Sequence, residues 1–312
     1  MQNQKPAPAV PSPISRRDMI LRAGAAALGL GLTSCTMFTS AQSSTRKVLF
    51  FSKSSGFEHS VIQRRGVEPS LAEKVLAELG PKHGIEFAFS KDGSRFTPEY
   101  LAGFDACVFY TTGDLTTLGT DKNPPMSPEG KQAVLDAIHQ GKGFVGIHSA
   151  TDTFHTPEPA GATQYQNDGS RADPYIRMIG AEFINHAAQQ NAKMRVVASR
   201  FPGLPEHDFE LTEEWYSFKN FANDLHVLLV QDTAGMEGRP YQRPPYPATW
   251  ARLHGKGRVF YTSLGHREDV WTNPLFEKIL FGGIAWAVRN ADADVAPNVG
   301  RATPGCAELP PR

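Results

Sequence analysis

Short apolar runs alternate with segments of helical spacing along residues 47–147, and this alternation constrains the fold more than any other feature of the sequence. Lys47-Val48-Leu49-Phe50-Phe51 is a continuous apolar run of strand length. In residues 67–79, Leu71, Val75, Leu76 and Leu79 recur at helical spacing, and Gly80-Pro81 ends the helix. Ile85 to Phe89 predicts a second strand and Phe104 to Tyr110 a third. Ser127-Pro128-Glu129 opens a helix reaching about His139, with proline at the first helical position, where its missing N–H costs nothing. Gly143 to Ile147 is a fourth strand. Continuous rather than alternating apolar strands, separated by helices, are buried on both faces. The expectation is therefore an α/β sandwich, a parallel sheet covered by helices and folded as one domain.

The second half is less regular. Pro157 to Asp173 is a long polar loop, a kind of segment that often carries function. Pro174 to Gly180 reads as a short helix. Later strands are expected at Met194–Val197, Val227–Val230, Ala248–Leu253 and Arg258–Thr262, the last two joined by a hairpin turn over 253–258. Asn273 to Val288 is an amphipathic helix opened by Asn-Pro. After Asn290 the chain is rich in proline and alanine and is expected to lie loosely on the surface.

The leader has its own logic. Ser15-Arg16-Arg17-Asp18-Met19-Ile20-Leu21 followed by the weakly apolar Ala23–Leu32 reads as a twin-arginine export signal. That segment is too short and too polar for a comfortable transmembrane helix. Leu32-Thr33-Ser34-Cys35 resembles a lipobox, which makes Cys35 the expected lipid-modified mature N-terminus; plain cleavage near Ala41 is the alternative. The organisation read from this is a signal over 1–35, a tether over 36–46, a folded domain over 47–290 and an irregular tail over 291–312. The expected location is the periplasm or the membrane surface, with membrane contact only through a lipid on Cys35. Lys plus Arg and Asp plus Glu both number 32, so bulk charge does not suggest nucleic acid as a partner. Three cysteines, Cys35, Cys107 and Cys306, cannot form a disulfide framework.

Open parallel sheets bind ligands beyond the carboxyl ends of their strands. The residues at those positions are Ser52 to His59, Thr111 to Asp114, His148 to Asp152, and Ser263 to Asp269, all rich in histidine, carboxylate or hydroxyl groups. Gly146-Ile147-His148-Ser149-Ala150 resembles a nucleophile elbow, in which small neighbours let a tight turn present one side chain above the sheet. Class I glutamine amidotransferases have cysteine at the central place; His148 stands here, so glutaminase chemistry is not expected. Ser149 either caps the following segment or serves as a nucleophile, the cap being the plainer reading. His266 and Glu268 form a His-x-Glu arrangement, in which a carboxylate can orient an acid–base imidazole.

Four segments together resemble the ThuA-like trehalose-utilisation family: Gly146 to Asp152; Met178-Ile179-Gly180-Ala181-Glu182-Phe183 before His186; Glu213-Glu214-Trp215-Tyr216; and Gly255 to His266. The resemblance runs over roughly 47–289 and implies a flavodoxin-like, class I glutamine amidotransferase-like fold without glutaminase activity. It also implies a small carbohydrate substrate, trehalose or an oxidised 3-keto disaccharide. On this basis His148, His266 and Glu268 are the expected catalytic groups. His59, Asp114, Ser149, Asp152, His186, Glu214, Trp215 and Trp271 are the expected substrate contacts, the tryptophans as stacking faces if not core. Asp152, Glu214 and Glu268 are candidates for the paired carboxylates that glycoside hydrolysis needs. His59, His148, His186 and His266 could meet around a metal. Their wide spacing carries no metal motif, however, and proton transfer or hydroxyl binding is the preferred reading, with no metal expected and no cofactor assigned. A non-catalytic sugar-binding lipoprotein is the rival reading.

Overall fold

The computed structural model describes residues 45–156 and 165–312. The export signal, Cys35 and much of the tether lie outside the described residues, as does part of the Pro157–Asp173 loop. Eleven strands are present among them: β1 Arg46–Phe51, β2 Ile85–Ser90, β3 Ala106–Phe109, β4 Gly143–Ile147, β5 Glu182–Asn185, β6 Gln190–Val196, β7 Phe209–Glu213, β8 Ser217–Lys219, β9 His226–Gln231, β10 Tyr246–His254 and β11 Gly257–Thr262. The helices are α1 Leu71–Leu79, α2 Pro98–Ala102, α3 Pro128–Gln140, α4 Pro174–Ile179, α5 Glu268–Trp271, α6 Pro274–Ala287 and α7 Val299–Ala302. No helix of the described residues is long and apolar enough to cross a membrane.

Nine strands form one sheet in the order β2-β1-β3-β4-β11-β10-β9-β6-β7, and β5 pairs with β8 apart from it. The five strands from β2 to β11 run parallel. From β11 onward every pairing is antiparallel. The apolar runs of the sequence explain the parallel half. Val48, Phe50, Val108, Val145 and Ile147 enter one core, while Leu49, Phe51, Cys107, Phe109 and Phe144 enter the core on the opposite face. Successive strand residues point to opposite sides, so a strand covered on both sides must be apolar throughout.

Local signals set the helix starts. Ser70 accepts from the Glu73 backbone N–H while the Glu73 side chain accepts from the Ser70 N–H, a reciprocal cap that starts α1. Ser127 caps α3 and Asn273 caps α6, each followed by proline at the first turn. The hairpin between β10 and β11 turns at Gly255, whose φ of 59° favours glycine.

Strands β5, β7 and β8 were not legible in the apolar pattern. The tail departs from expectation as well: it is tied down rather than loose. The Asn298 side chain accepts from the Val227 N–H at 2.6 Å and donates to the Val227 carbonyl at 3.1 Å. Arg243 donates to the Cys306 carbonyl at 2.6 Å.

Candidate active site

Strand β4 ends at Ile147, and the chain turns sharply at His148, whose φ of 44° lies in the left-handed region that a non-glycine residue rarely enters. The turn fits because its neighbours are small. A Cβ at Gly146 would come within 2.8 Å of Ile179 Cδ1 and 3.1 Å of Ala150 Cβ. The imidazole of His148 is fully buried and its orientation is fixed. Its Nδ1 lies 2.9 Å from the Ser263 carbonyl, which can only accept, so Nδ1 carries a proton, and in the neutral ring Nε2 presents a lone pair. Tyr216 packs on the ring at 4.1 Å between centroids, and the Tyr261 hydroxyl donates to the His148 carbonyl at 2.7 Å.

His266 follows β11 on a loop pinned from two sides. Glu213, at the end of β7, accepts from the N–H groups of Gly265 and His266 at 2.9 and 3.2 Å. The Tyr110 hydroxyl and the Trp271 indole both donate to the Gly265 carbonyl, at 3.0 and 2.7 Å. Burial raises the pKa of Glu213, opposed by the nearby imidazoles and these N–H groups. So held, His266 Nδ1 stands 3.2 Å from His148 Nε2 and 3.0 Å from Glu214 Oε2. Glu214 Oε2 is also 3.5 Å from His148 Nε2, and its other oxygen is 3.3 Å from His186 Nδ1. Burial pushes the Glu214 carboxyl up, but hydrogen bonds and charge from His148 and His266 outweigh it and hold the group well below the usual carboxylate range.

His59 completes the cluster from the loop after β1. Its ring meets those of His148 and His266 edge-on at 5.0 and 5.1 Å. Its Nδ1 is buried with no hydrogen-bond partner among the described residues, and its Nε2 is 3.5 Å from the Tyr216 hydroxyl. Burial first, and then the neighbouring imidazoles, push its pKa well down, so His59 is neutral at ordinary pH. One ligand atom from each of His59, His148, Glu214 and His266 lies within 4.8 Å of all the others. Each comes from a different loop, so wide sequence spacing is no argument against a metal here. His186 stands at the mouth, 40% exposed.

Several expected contacts fall elsewhere. Glu268 does not support His266: it opens α5, its carboxylate accepts from the Ser60 hydroxyl, and the carboxylate on His266 is Glu214. Trp215 and Trp271 are buried, their indoles bonded to the Gln190 and Gly265 carbonyls, so they are core supports and not stacking faces. Asp114 is exposed and folds back onto Thr116 in a local turn. Ser149 caps nothing: its Oγ is buried without a partner among the described residues, inside the turn His148–Asp152. Asp152 pairs with His155 at 2.5 Å, and His155 Nδ1 is 3.2 Å from Glu182. The three carboxylates considered for glycoside hydrolysis, Asp152, Glu214 and Glu268, therefore serve three different partners. Tyr110 was missed as part of the centre; Glu213 and Tyr216 were read with Glu214 and Trp215 as one short motif offering carboxylates and a stacking face, whereas Glu213 holds backbone N–H groups and Tyr216 packs on His148.

The sequence profile of ThuA, described as trehalose utilisation, matches residues 47–287. The chain belongs to the ThuA family. Among curated proteins none matched. A ThuA-like protein of Bacteroides uniformis ATCC 8492 is 18% identical, with a TM-score of 0.58 over 82% of this chain and 96% of that one. One from Parabacteroides merdae ATCC 43184 is also 18% identical, with a TM-score of 0.52 over 81% and 93%. At that identity the likeness concerns the fold, which is of the class I glutamine amidotransferase type. This ThuA-family member lacks a reactive thiol at the elbow, where His148 stands. Cys107 is buried inside β3, with its thiol pushed up to about 12 by burial.

Proposed function

We propose that this ThuA-family protein is exported by the twin-arginine route to the cell envelope, anchored through Cys35, and acts there on a small oxidised sugar such as a 3-keto disaccharide. The observation that carries the chemical part is the meeting of His148 Nε2, His266 Nδ1 and Glu214 Oε2 at 3.0–3.5 Å on the carboxyl-end rim of the sheet. A carbonyl at C3 of a sugar acidifies the C–H at C2. A positioned base can remove that proton, and the resulting enolate can expel the glycosidic oxygen at C1, which takes a proton as it leaves. His148 and His266 are the proton-handling groups of this reading. The Ser263 carbonyl orients the His148 ring, and Glu214 Oε2 stands 3.0 Å from His266 Nδ1.

Space for the rest of the substrate supports the reading too. A groove lined by Ser60, Gln63, Arg65, Glu68, Lys74 and Glu268 includes the residue after His59 and the second residue after His266. Its donors and acceptors suit sugar hydroxyls. The test is product analysis after incubating the purified protein with trehalose and with its 3-keto form. Turnover that His266→Ala abolishes, while the ligand still binds, supports catalysis; wild-type protein that binds the sugar without converting it is a binding lipoprotein instead.

A further inference from the structure

We propose that His59, His148, His266 and Glu214 are the ligands of a divalent transition-metal ion; the inference rests on the reading that this cluster is the functional centre, and not on which sugar it serves. Zinc bound tetrahedrally with bonds of about 2.0–2.1 Å to nitrogen and oxygen spaces its ligand atoms about 3.3–3.4 Å apart. The separations among His148 Nε2, His266 Nδ1 and Glu214 Oε2 are 3.0, 3.2 and 3.5 Å, which bracket that spacing.

Proton bookkeeping points the same way. In the neutral ring the His148 proton lies on Nδ1 toward the Ser263 carbonyl, and His148 Nε2 and Glu214 Oε2 then both present lone pairs, 3.5 Å apart. The single proton on His266 Nδ1 cannot be well aligned with both of them. Among the described residues no other donor is bonded to His148 Nε2, and the buried His59 Nδ1 has no partner. A cation at the centre turns these opposed lone pairs into ligands. The surroundings are those a metal site needs. A ligating imidazole usually donates its other N–H to a carbonyl or carboxylate, as His148 does to Ser263. The Glu213 carboxylate holds the His266 backbone in place without entering the cluster.

Three neutral imidazoles and one carboxylate suit zinc, nickel, iron or manganese, and leave a net positive charge on the loaded centre. His266 and Glu214 keep 16% and 12% exposure, so an ion there is reachable from solvent. A vicinal hydroxy-ketone, as in a 3-keto sugar, offers two adjacent oxygens to such an ion. The ion would polarise the carbonyl and strengthen the acidity of the neighbouring C–H. With the ion bound, His148 and His266 would be ligands and not proton carriers, and His186, whose Nδ1 is 3.3 Å from Glu214 Oε1, would take that role in their place.

The test uses the full chain, stripped with a chelator and titrated calorimetrically with zinc, nickel and manganese chlorides, alongside elemental analysis of the protein as purified. The expected result is one ion per chain, with His266→Ala and Glu214→Gln each weakening binding by roughly a hundred-fold or more, beyond what loss of an outer partner costs. Asp114→Asn, on the exposed turn, should bind as wild type does. Circular dichroism checks that each variant is folded, and the Glu214→Gln arm answers the question if His266→Ala is not. Folded wild-type protein that takes up none of the three ions, or binding that neither variant weakens, overturns the proposal. Sugar turnover enters none of these readouts, so failure of the substrate reading would leave this test intact.

Discussion

At the scale of single residues, the centre depends on which carboxylate reaches His266. Glu268 is two residues away in sequence, but α5 turns it toward Ser60, while Glu214 arrives from the β7–β8 connection. Glu214→Gln should therefore lower turnover by roughly a hundred-fold or more, as loss of a group that handles or supports a proton does. Glu268→Gln, at the groove and not at the centre, should leave kcat near the wild-type value with any change confined to KM, and steady-state kinetics on the two variants checks the assignment. The histidines His59, His148, His186 and His266 were legible because each follows an apolar run or sits in a recognisable motif. The pairing of Glu214 with His266 was not, since it joins residues more than fifty positions apart. Trp215 and Trp271 illustrate the same limit. An indole beside polar residues reads equally as a stacking face or as core, and only the packing decides. Glutamine hydrolysis that depends on a thiol should be absent, because the buried Cys107 stays protonated at ordinary pH.

At the scale of elements, the turn His148–Asp152 is tied to β5 by a second charged cluster. His155 bridges Asp152 and Glu182, and Glu182 also accepts from the Thr156 N–H and hydroxyl and from Asn220. Burial opposes the charge on His155, yet its two carboxylate partners raise its pKa from 6.5 to about 9. The stability it contributes is full below pH 6.5 and is lost as pH rises through about 9. Burial likewise opposes the charge on Glu182, but His155, Thr156 and Lys219 hold its pKa down to about 2 from 4.5. Its contribution is full above pH 4.5 and is lost as pH falls through about 2. Urea midpoints measured from pH 6 to 10 should fall across the upper window in wild type, and His155→Gln should flatten that fall. An unchanged slope in the variant would remove His155 as the cause. Elements β1 to β4 and α1, α3 and α6 were legible because continuous apolar runs, Pro at the first turn and Ser or Asn caps are local signals. Strands β7 and β8 are short and mixed in polarity, and neighbours distant in sequence determine them.

At the scale of the whole molecule, the tail is tied to the sheet at β9. Asn298 satisfies both backbone groups of Val227, a residue that is itself fully buried. Asn298→Ala should cost about 1–3 kcal/mol, the penalty for leaving buried polar groups unpaired, and should lower the urea midpoint measurably. The proposed export rests on the leader alone. Arg16→Lys with Arg17→Lys should retain the precursor in the cytoplasm, and Cys35→Ala should release the mature protein from membranes. Cell fractionation reads both outcomes, and normal export of the double variant would remove the twin-arginine reading.

The central claim, that the His148–His266–Glu214 centre carries out chemistry on an oxidised sugar, is tested most directly by following 3-keto trehalose by product analysis with wild-type protein and the His266→Ala variant, each with its sugar affinity measured. The account predicts conversion by wild type, and binding without conversion by the variant. Undiminished conversion by His266→Ala, or binding without conversion by wild type, would contradict it.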